Sequence, residues 1–536
     1  MKRREFIKFS ACGLSVVAVG SVAQWPGFWP GGKAWASSSH DEMLELEMVE
    51  AMAEMVDGVR VPMWAFKLAS ALPGFTDTRT LARIPGPAIF AMEGDHVQLH
   101  ISNDIRQGGR HGFAIPGVML QVDGRQVERV EIARGDDVHI EFHAPAPGTY
   151  MYLDPFNAPV NRVMGLHGAL VVLPNPLNNR TPFADPTNEV RLLFNHLGTT
   201  EHFPGHPWDP ARNAVWVFNT VDPVKNALAA ANDTAIAPSN FLGGYLPQYF
   251  TINGKSGFFG SQHHHTTPDG GDNGDHDDDH DHAGDRRAFD LAANISIRGR
   301  VGQPIVIRNL NAGLMWHSPH IHGNHVYPLS HADVRLDAVN GVTVAGERRI
   351  LDNLLMVDTW AIPPATMEDV LLTYIAPPDI PSNFWARVAA GTNEELLPLF
   401  YPMHDHNEIS NTAAGGNYPH GLTTHWQIDE PFDPTDVFSG VISVTRARLR
   451  VKTGRLELEG LYSAPGSGGV VILDVHAGGA SGPLITDHVP VDGQGRWSYR
   501  GRALKALGSN LVTIMFHDPV NRSTVHAGRT VRLELR

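Results

Sequence analysis

The chain is almost without cysteine: Cys12 is the only one among 536 residues. A disulfide scaffold, an iron–sulfur cluster and a cysteine-ligated zinc site are therefore excluded. Acidic side chains outnumber basic ones by 57 to 42, and the net charge of −15 argues against nucleic-acid binding, which needs clustered Lys and Arg. The 29 histidines and the carboxylates remain as the residues that can carry chemistry.

The N-terminus has the pattern of an export signal. A twin arginine, Arg3-Arg4, precedes a mildly apolar run from Ala11 to Ala23, and Ala34-Trp35-Ala36 offers the small-x-small pattern of a cleavage site. We predict a twin-arginine signal over residues 1–36, export to the periplasm, and a mature chain without a thiol. A membrane anchor is the alternative, but the apolar run is short for a span, and no later segment is long and apolar enough for one.

The remaining sequence predicts an all-β protein. Its 53 Gly and 39 Pro separate short runs of alternating polarity, such as Val97–Ile101 and Val138–Phe142. Only residues 41–58 resemble a short amphipathic helix. A second β unit is expected to begin near Asn188-Glu189-Val190.

The predicted organisation has three β-sandwiches. We expect a first β-sandwich with the N-terminal helix over 37–180, a second over 181–435, and an immunoglobulin-like domain over 436–536. Residues 263–285 read HHHTTPDGGDNGDHDDDHDHAGD. Nothing apolar is available there to drive packing, so a mobile surface loop is expected, with weak metal capture or no role at all.

Two histidine pairs carry the strongest chemical indication. His320 and His322 are two residues apart, and so are His404 and His406. Residues two apart in a strand point to the same face, so two such pairs on neighbouring strands would direct four imidazoles at one volume. Imidazole suits copper, zinc and iron, and the affinity order favours copper. The alternative is that these are surface or hydrogen-bonded core histidines.

At these residues the chain resembles the multicopper oxidase family. The stretch from His317 to Gly323 is similar to one of that family's copper motifs, H-x-x-H-x-H-G, and His404-Asp405-His406 stands where the family has H-C-H. Further similarity lies in Pro85-Gly86-Pro87, in 147–152, 165–172 and 249–255, and in 363–370. The resemblance extends over about residues 60 to 430 and implies that the first two sandwiches are cupredoxin-like Greek-key domains.

The departures from the family pattern are as informative as the matches. The resemblance places Asp405 at the type 1 copper cysteine, Ser410 at that copper's second histidine and Gly415 near its axial position. A thiolate-bound blue copper is therefore excluded. Of the eight histidines that hold the family's trinuclear cluster, five positions remain: His111, His320, His322, His404 and His406. Family geometry implies that His320 belongs to the mononuclear type 2 copper and the other four to the type 3 pair.

Three functional interpretations stay open. The first is an exported copper protein with multicopper-oxidase-like oxidoreductase activity on a small-molecule or metal-ion substrate, using one or two coppers. The second is a catalytically silent cupredoxin scaffold. The third is a periplasmic copper-sequestering protein with the 263–285 loop as collector. Asp405 is either an oxygen ligand, a hydrogen-bond partner of a histidine Nδ1 or a plain polar residue. Further ligands could come from His317, His167, His325, His420 or His425, and two-domain relatives suggest a homotrimer.

Overall fold

The protein is described by a computed structural model. It describes residues 43–69, 82–174, 181–257, 295–381 and 397–430, except for a few isolated positions between 199 and 233. Between 441 and 535 it describes the strands but not most of the links between them. The predicted export signal and the 263–285 segment lie outside the described residues. The strands form three two-sheet units, which confirms the all-β prediction. The domain limits drawn from the sequence remain predictions.

The first unit packs a six-stranded sheet, in the order β2-β1-β4-β9-β6-β7, against a three-stranded sheet, β10-β11-β3. Its elements are β1 (Met43–Glu54), β2 (Arg60–Leu68), β3 (Ile89–Met92), β4 (His96–Asn103), β5 (Gly112–Phe113), β6 (Leu120–Val122), β7 (Arg125–Val127), β8 (Val130–Glu131), β9 (Asp137–His143), β10 (Gly148–Leu153), α1 (Val160–Val163) and β11 (His167–Leu173).

The second unit has a six-stranded sheet, β13-β12-β15-β19-β17-β18, and a four-stranded sheet, β14-β21-β20-β16. Its elements are α2 (Asn188–His196), β12 (Asn213–Val221), α3 (Pro223–Ala230), α4 (Pro238–Leu242), β13 (Tyr249–Ile252), β14 (Ile297–Arg300), β15 (Ile305–Asn311), β16 (Pro319–Ile321), β17 (Val326–Asp337), β18 (Val342–Ile350), β19 (Thr366–Leu372), β20 (Leu399–Asp405), a 3-10 turn (Glu408–Asn411) and β21 (Thr423–Glu430).

The third unit consists of two four-stranded sheets, β26-β23-β22-β29 and β25-β24-β27-β28. Its strands are β22 (Val441–Arg450), β23 (Arg455–Ser463), β24 (Ile472–Ala477), β25 (Leu484–Pro490), β26 (Arg496–Arg502), β27 (Leu511–His517), β28 (Val525–Arg532) and β29 (Glu534–Leu535). In the described part of the chain, no helix has the length and apolar character needed to cross a membrane.

The N-terminal helix expected over 41–58 is wrong, because Met43–Glu54 is the strand β1. It pairs antiparallel with β2 and parallel with β4. Leu44, Leu46 and Met48 alternate with Glu45 and Glu47 and are buried on the core side. Glu, Leu, Met and Ala favour helices in isolation, but pairing on both sides and burial of one face outweigh this preference.

The second unit does not begin with a strand at Asn188, because Asn188–His196 forms the helix α2. The side chain of Thr187 caps it by accepting a hydrogen bond from the Val190 amide, 3.4 Å away. Val190, Leu193 and Phe194 are buried on one side. Their i, i+3, i+4 spacing is typical of a helix. The same stretch also contains residues of alternating polarity, and this alternation indicated a strand.

The first two units share a packed boundary. Phe90, Met151 and Val171 of the first unit join Val217 and Met367 of the second in one buried apolar cluster. A polar network lies beside this cluster. The Thr149 hydroxyl donates to Asp369 at 2.5 Å, and the guanidinium of Arg308 donates to the same carboxylate at 2.8 Å. Burial of the apolar cluster and the hydrogen bond from Thr149 to Asp369 join the two sandwiches, and Arg308 neutralises the Asp369 carboxylate from within the second unit.

Candidate metal centre

The two predicted histidine pairs meet at one edge of the second unit. Strands β16 and β20 are antiparallel neighbours, with His320 directly opposite His404. Each pair is separated by one residue, Ile321 or Asp405, and both of these are buried at 1% exposure. Because neighbouring residues of a strand point to opposite faces, the histidines lie on the other face of the sheet. His320 and His404 are half-buried, and His322 and His406 are exposed.

The four imidazoles are in mutual contact. Ring centroids lie 4.6 Å apart for His320 and His406, 4.8 Å for His320 and His322, and 5.3 Å for His322 and His404. One ligand atom from each of His320, His404 and His406 lies within 4.8 Å of the other two. His322 is outside this triad and joins it through His404, because their Nε2 atoms are 3.2 Å apart. His404 therefore stands between two overlapping sets of nitrogen donors.

Hydrogen bonds fix which ring nitrogens face the cluster. Nδ1 of His404 is 3.1 Å from the Asp405 carbonyl oxygen, and Nδ1 of His320 is 3.2 Å from the Asp358 carbonyl oxygen and 3.0 Å from the Thr359 hydroxyl. That hydroxyl donates its own proton to the Asp358 carboxylate. Since carbonyl oxygens only accept, each Nδ1 carries the proton and each Nε2 presents a lone pair, as in histidines that ligate metals.

The spacing fits a common ion. Imidazole nitrogens bind metals at about 2.0 Å, so two of them 3.2 Å apart would enclose an angle of about 106° at one ion. Partial burial lowers the pKa of His320, against the opposing Asp358 charge. Burial and then the neighbouring His404 and His406 lower the pKa of His322. Both effects favour the neutral imidazole, which is the form that binds copper.

The positions that resemble a type 1 copper site also converge, but as a hydrogen-bonded network. Oδ2 of Asp405 is 2.6 Å from His317 Nδ1 and 2.6 Å from Ser410 Oγ, and Oδ1 accepts from the backbone amides of Ser318 and Asn407. Burial alone would raise the pKa of Asp405. The hydrogen bond and charge of His317, together with hydrogen bonds from the Ser410 hydroxyl and the Asn407 amide, outweigh burial and hold this pKa below its ordinary value. Asp405 therefore holds a histidine Nδ1, as one of the sequence hypotheses has it.

His111 is not brought together with the other four histidines. It is buried at 1% exposure, with Nδ1 at 2.8 Å from Asp154 Oδ2 and Nε2 at 2.7 Å from the Gln107 carbonyl oxygen. Burial opposes the charged form, but these two acceptors outweigh it and raise the pKa of His111. Both ring nitrogens are engaged, so in this arrangement His111 offers no lone pair to a metal. Its role as a ligand remains a prediction from the resemblance.

The further candidates lie outside the cluster. His167 is fully buried, its Nδ1 donates to the Arg162 carbonyl at 2.8 Å, and burial lowers its pKa to about 4. His425 is buried with Nε2 at 3.3 Å from the Gln427 side chain. His325 and His420 are exposed. In the described part of the chain, none of these residues makes a ring contact with the four clustered histidines.

Sequence reasoning missed the residues that orient the cluster. The Asp358 carbonyl and the Thr359 hydroxyl orient His320 from a segment nearly 40 residues away. A backbone carbonyl carries no side-chain identity, so no motif could reveal it. The pairing of Asp154 with His111 likewise follows from the fold, and no motif indicates it.

Comparison with known proteins gives one family match and several similar structures. Residues 81–176 match the family model of multicopper oxidase. Solved structures to which the chain is similar include the multicopper oxidase mgLAC (20% identity, 74% of this chain and 89% of that one, TM-score 0.42). A second is a blue copper oxidase from Nitrosomonas europaea (18% identity, 74% of this chain and 89% of that one, TM-score 0.40). A third is a copper nitrite reductase from the same organism (15% identity, 73% of this chain and 95% of that one, TM-score 0.38). No curated protein matches the sequence.

The described strands form an all-β protein, and residues 81–176, which lie in its first sandwich, are similar to multicopper oxidases. Over those residues the family model agrees with the resemblance that the motifs indicate. The lack of a cysteine at position 405 separates this chain from the family pattern.

Proposed function

We propose that this protein is an exported, periplasmic copper-binding oxidoreductase of the multicopper oxidase type that works without a type 1 copper. Its metal would be held by His320, His322, His404 and His406. The proposal rests on one observation above all: Nε2 of His404 is 3.2 Å from Nε2 of His322 and within reach of His320 and His406. Copper bound there would supply one-electron and dioxygen chemistry.

The residues of the chain prepare this centre for a metal. The Asp405 and Asp358 carbonyls keep the protons of His404 and His320 on Nδ1, so that Nε2 stays free. The donor set is imidazole alone, with no thiolate, which suits a type 2 rather than a blue copper. His322 and His406 are exposed, so a small phenol or a metal ion could reach the centre from solvent.

The buried positions beneath the centre support the same proposal. Electron entry in the family pattern needs a cysteine where this chain has Asp405. Because the Asp405 carboxylate is hydrogen-bonded to His317 and Ser410, that position supports structure rather than electron transfer. A substrate would therefore have to deliver electrons directly at the histidine cluster.

Two other functions remain as hypotheses with their own supporting features. A silent scaffold fits the loss of three of the eight family histidines and of the cysteine. Copper sequestration fits the exposed histidines and the composition of the 263–285 segment. We also propose a homotrimer, from the likeness to two-domain relatives. Light scattering of the full chain tests this assembly directly.

The decisive experiment compares four forms of the full-length protein. These are the wild type, H320A/H322A, a 263–285 deletion and the control H196A/H202A, which removes two exposed histidines outside the cluster. Copper per chain, a type 2 electron paramagnetic resonance signal and oxygen uptake with a phenol or a reduced metal ion are measured. Loss of copper and turnover in H320A/H322A alone supports the oxidoreductase. Copper bound to the wild type without any turnover supports the scaffold. Loss of copper in the 263–285 deletion alone supports sequestration.

A further inference from the structure

A second group of histidines lies on the outer face of the first sandwich. Strand β9 carries acidic residues and histidines at every outward position: Asp137, His139, Glu141 and His143. The neighbouring strand β4 places His96 and His100 on the same face. Val97, Leu99 and Ile140, which lie between them, are fully buried, so the alternation leaves the polar set on the solvent side.

The strand register sets these histidines against one another. His96 lies directly opposite His143, and His100 lies directly opposite His139. The His96 and His143 rings are 5.3 Å apart between centroids, at 40° to each other. Directly opposed residues have Cβ atoms about 4.5–5.5 Å apart, which lets two imidazoles converge on one ion.

A carboxylate completes the donor set. Oε2 of Glu141 is 3.2 Å from His96 Nε2, and Oε1 of the same side chain is 3.7 Å from His139 Nδ1. These three side chains are 34–46% exposed, so a hydrated ion can reach them without opening the core. The same pattern recurs along the strand, where His100 Nε2 is 2.8 Å from Asp137 Oδ2.

We propose that this face binds a divalent transition-metal ion, with His96, His143 and Glu141 as ligands. Their donor atoms are not assembled as closely as those of His320, His404 and His406, so these exposed side chains would rotate to close on the ion. Two imidazoles and one carboxylate suit Cu(II), Zn(II) and Ni(II), and copper binds most tightly of these. The site is separate from the centre on β16 and β20 and does not depend on the proposed oxidoreductase activity. Its exposure and open coordination positions make it a site of rapid exchange. Water can complete the coordination of the ion.

Histidine modification by diethyl pyrocarbonate, mapped by mass spectrometry on the full chain, tests this site residue by residue. Added Cu(II) should slow modification of His96 and His143 about fivefold once its concentration is about four times the dissociation constant. The exposed His196 should react at an unchanged rate. E141Q should require about tenfold more copper for the same protection, while the control Q98A on the same face should not.

Equilibrium dialysis gives an independent measure. H96A/H143A should bind one copper ion fewer per chain than the wild type, and the loss should add to that of H320A/H322A because the sites are separate. Unchanged modification of His96 and His143 at saturating copper would overturn the proposal. So would an unchanged copper count in H96A/H143A, whose exposed positions leave the core intact.

Discussion

Nδ1 of His317 lies 2.6 Å from Oδ2 of Asp405, and both side chains are buried at 1% exposure or less. Asp154 and His111 repeat this arrangement in the first sandwich, at 2.8 Å. The resemblance places copper ligands at His111, His317 and Asp405, and each of these lies in a buried His–Asp pair. The carboxylates bind histidine protons there, and this leaves the exposed cluster on β16 and β20 as the centre for a metal.

Removing the Asp405 carboxylate should destabilise the second sandwich. D405A leaves His317 Nδ1, Ser410 Oγ and two backbone amides without their acceptor, so the free energy of unfolding should fall by about 3 kcal/mol. S410A removes one donor and should cost about 1 kcal/mol. Urea titration followed by tryptophan fluorescence measures both. Equal stability of D405A and wild type would show that the network does not support the fold.

The His111–Asp154 pair provides a contrasting test of which histidines hold metal. D154A should lower the free energy of unfolding by about 3 kcal/mol, because it leaves the buried His111 without its partner. Copper per chain should stay unchanged in D154A and in H111Q, since both nitrogens of His111 are hydrogen-bonded away from the cluster. A drop in copper in H111Q, with folding preserved, would return His111 to the ligand set.

Much of this centre could be predicted because its geometry follows from strand periodicity. The H-x-H spacing at 320/322 and at 404/406 predicts that the two histidines of each pair lie on one face of a strand. The order of the motifs in the family predicts that the two strands are neighbours. The partners of His111 could not be predicted, since Asp154 and Gln107 reach it only through folding. The outer histidines on β4 and β9 were also missed. They are spaced four or more residues apart, and only the register aligns them.

The errors in secondary structure have a common cause. Residues 43–54 are rich in helix formers and 188–196 contain β-branched and apolar residues, so local preference indicated the wrong element in both. Pairing with β2 and β4 fixed the first as a strand. The Thr187 cap and the buried face of Val190, Leu193 and Phe194 fixed the second as a helix. Tertiary contacts outweighed propensities that span less than about 1 kcal/mol per residue.

Copper should stay bound at lower pH than at ordinary histidines. Protons compete with metal for the Nε2 lone pairs, and the pKa values of His320 and His322 are lowered by burial and by neighbouring groups. Competition should therefore begin only below about pH 6.5, the unperturbed histidine value. The intensity of the cluster's type 2 signal, measured from pH 8 to pH 4 as the difference between wild type and H320A/H322A, gives the midpoint. A midpoint above 6.5 would contradict the neutral, preformed site.

The second sandwich should lose stability at alkaline pH through Glu368. Burial, followed by the nearby Asp369 charge, raises the pKa of Glu368 from 4.5 to about 9, against the opposing Arg349. His331 Nδ1 lies 2.5 Å from this carboxyl group. A carboxyl group whose pKa is higher in the folded state contributes full stability below pH 4.5 and loses it as pH rises through 9.

The matched variant for this effect is E368Q, which keeps the shape and cannot ionise. Urea midpoints at pH 5, 7 and 9 should fall less steeply for E368Q than for the wild type. Parallel pH profiles for the two proteins would show that Glu368 ionises normally in the fold.

Anomalous diffraction at the copper edge, from crystals of the copper-loaded full chain, locates the metal among these histidines. We expect a peak bonded to Nε2 of His404 and shared with His322 or with His320 and His406, with no copper at His317 or Asp405. Copper found only elsewhere, or beside His317 in place of its bond to Asp405, would rule out the proposed centre.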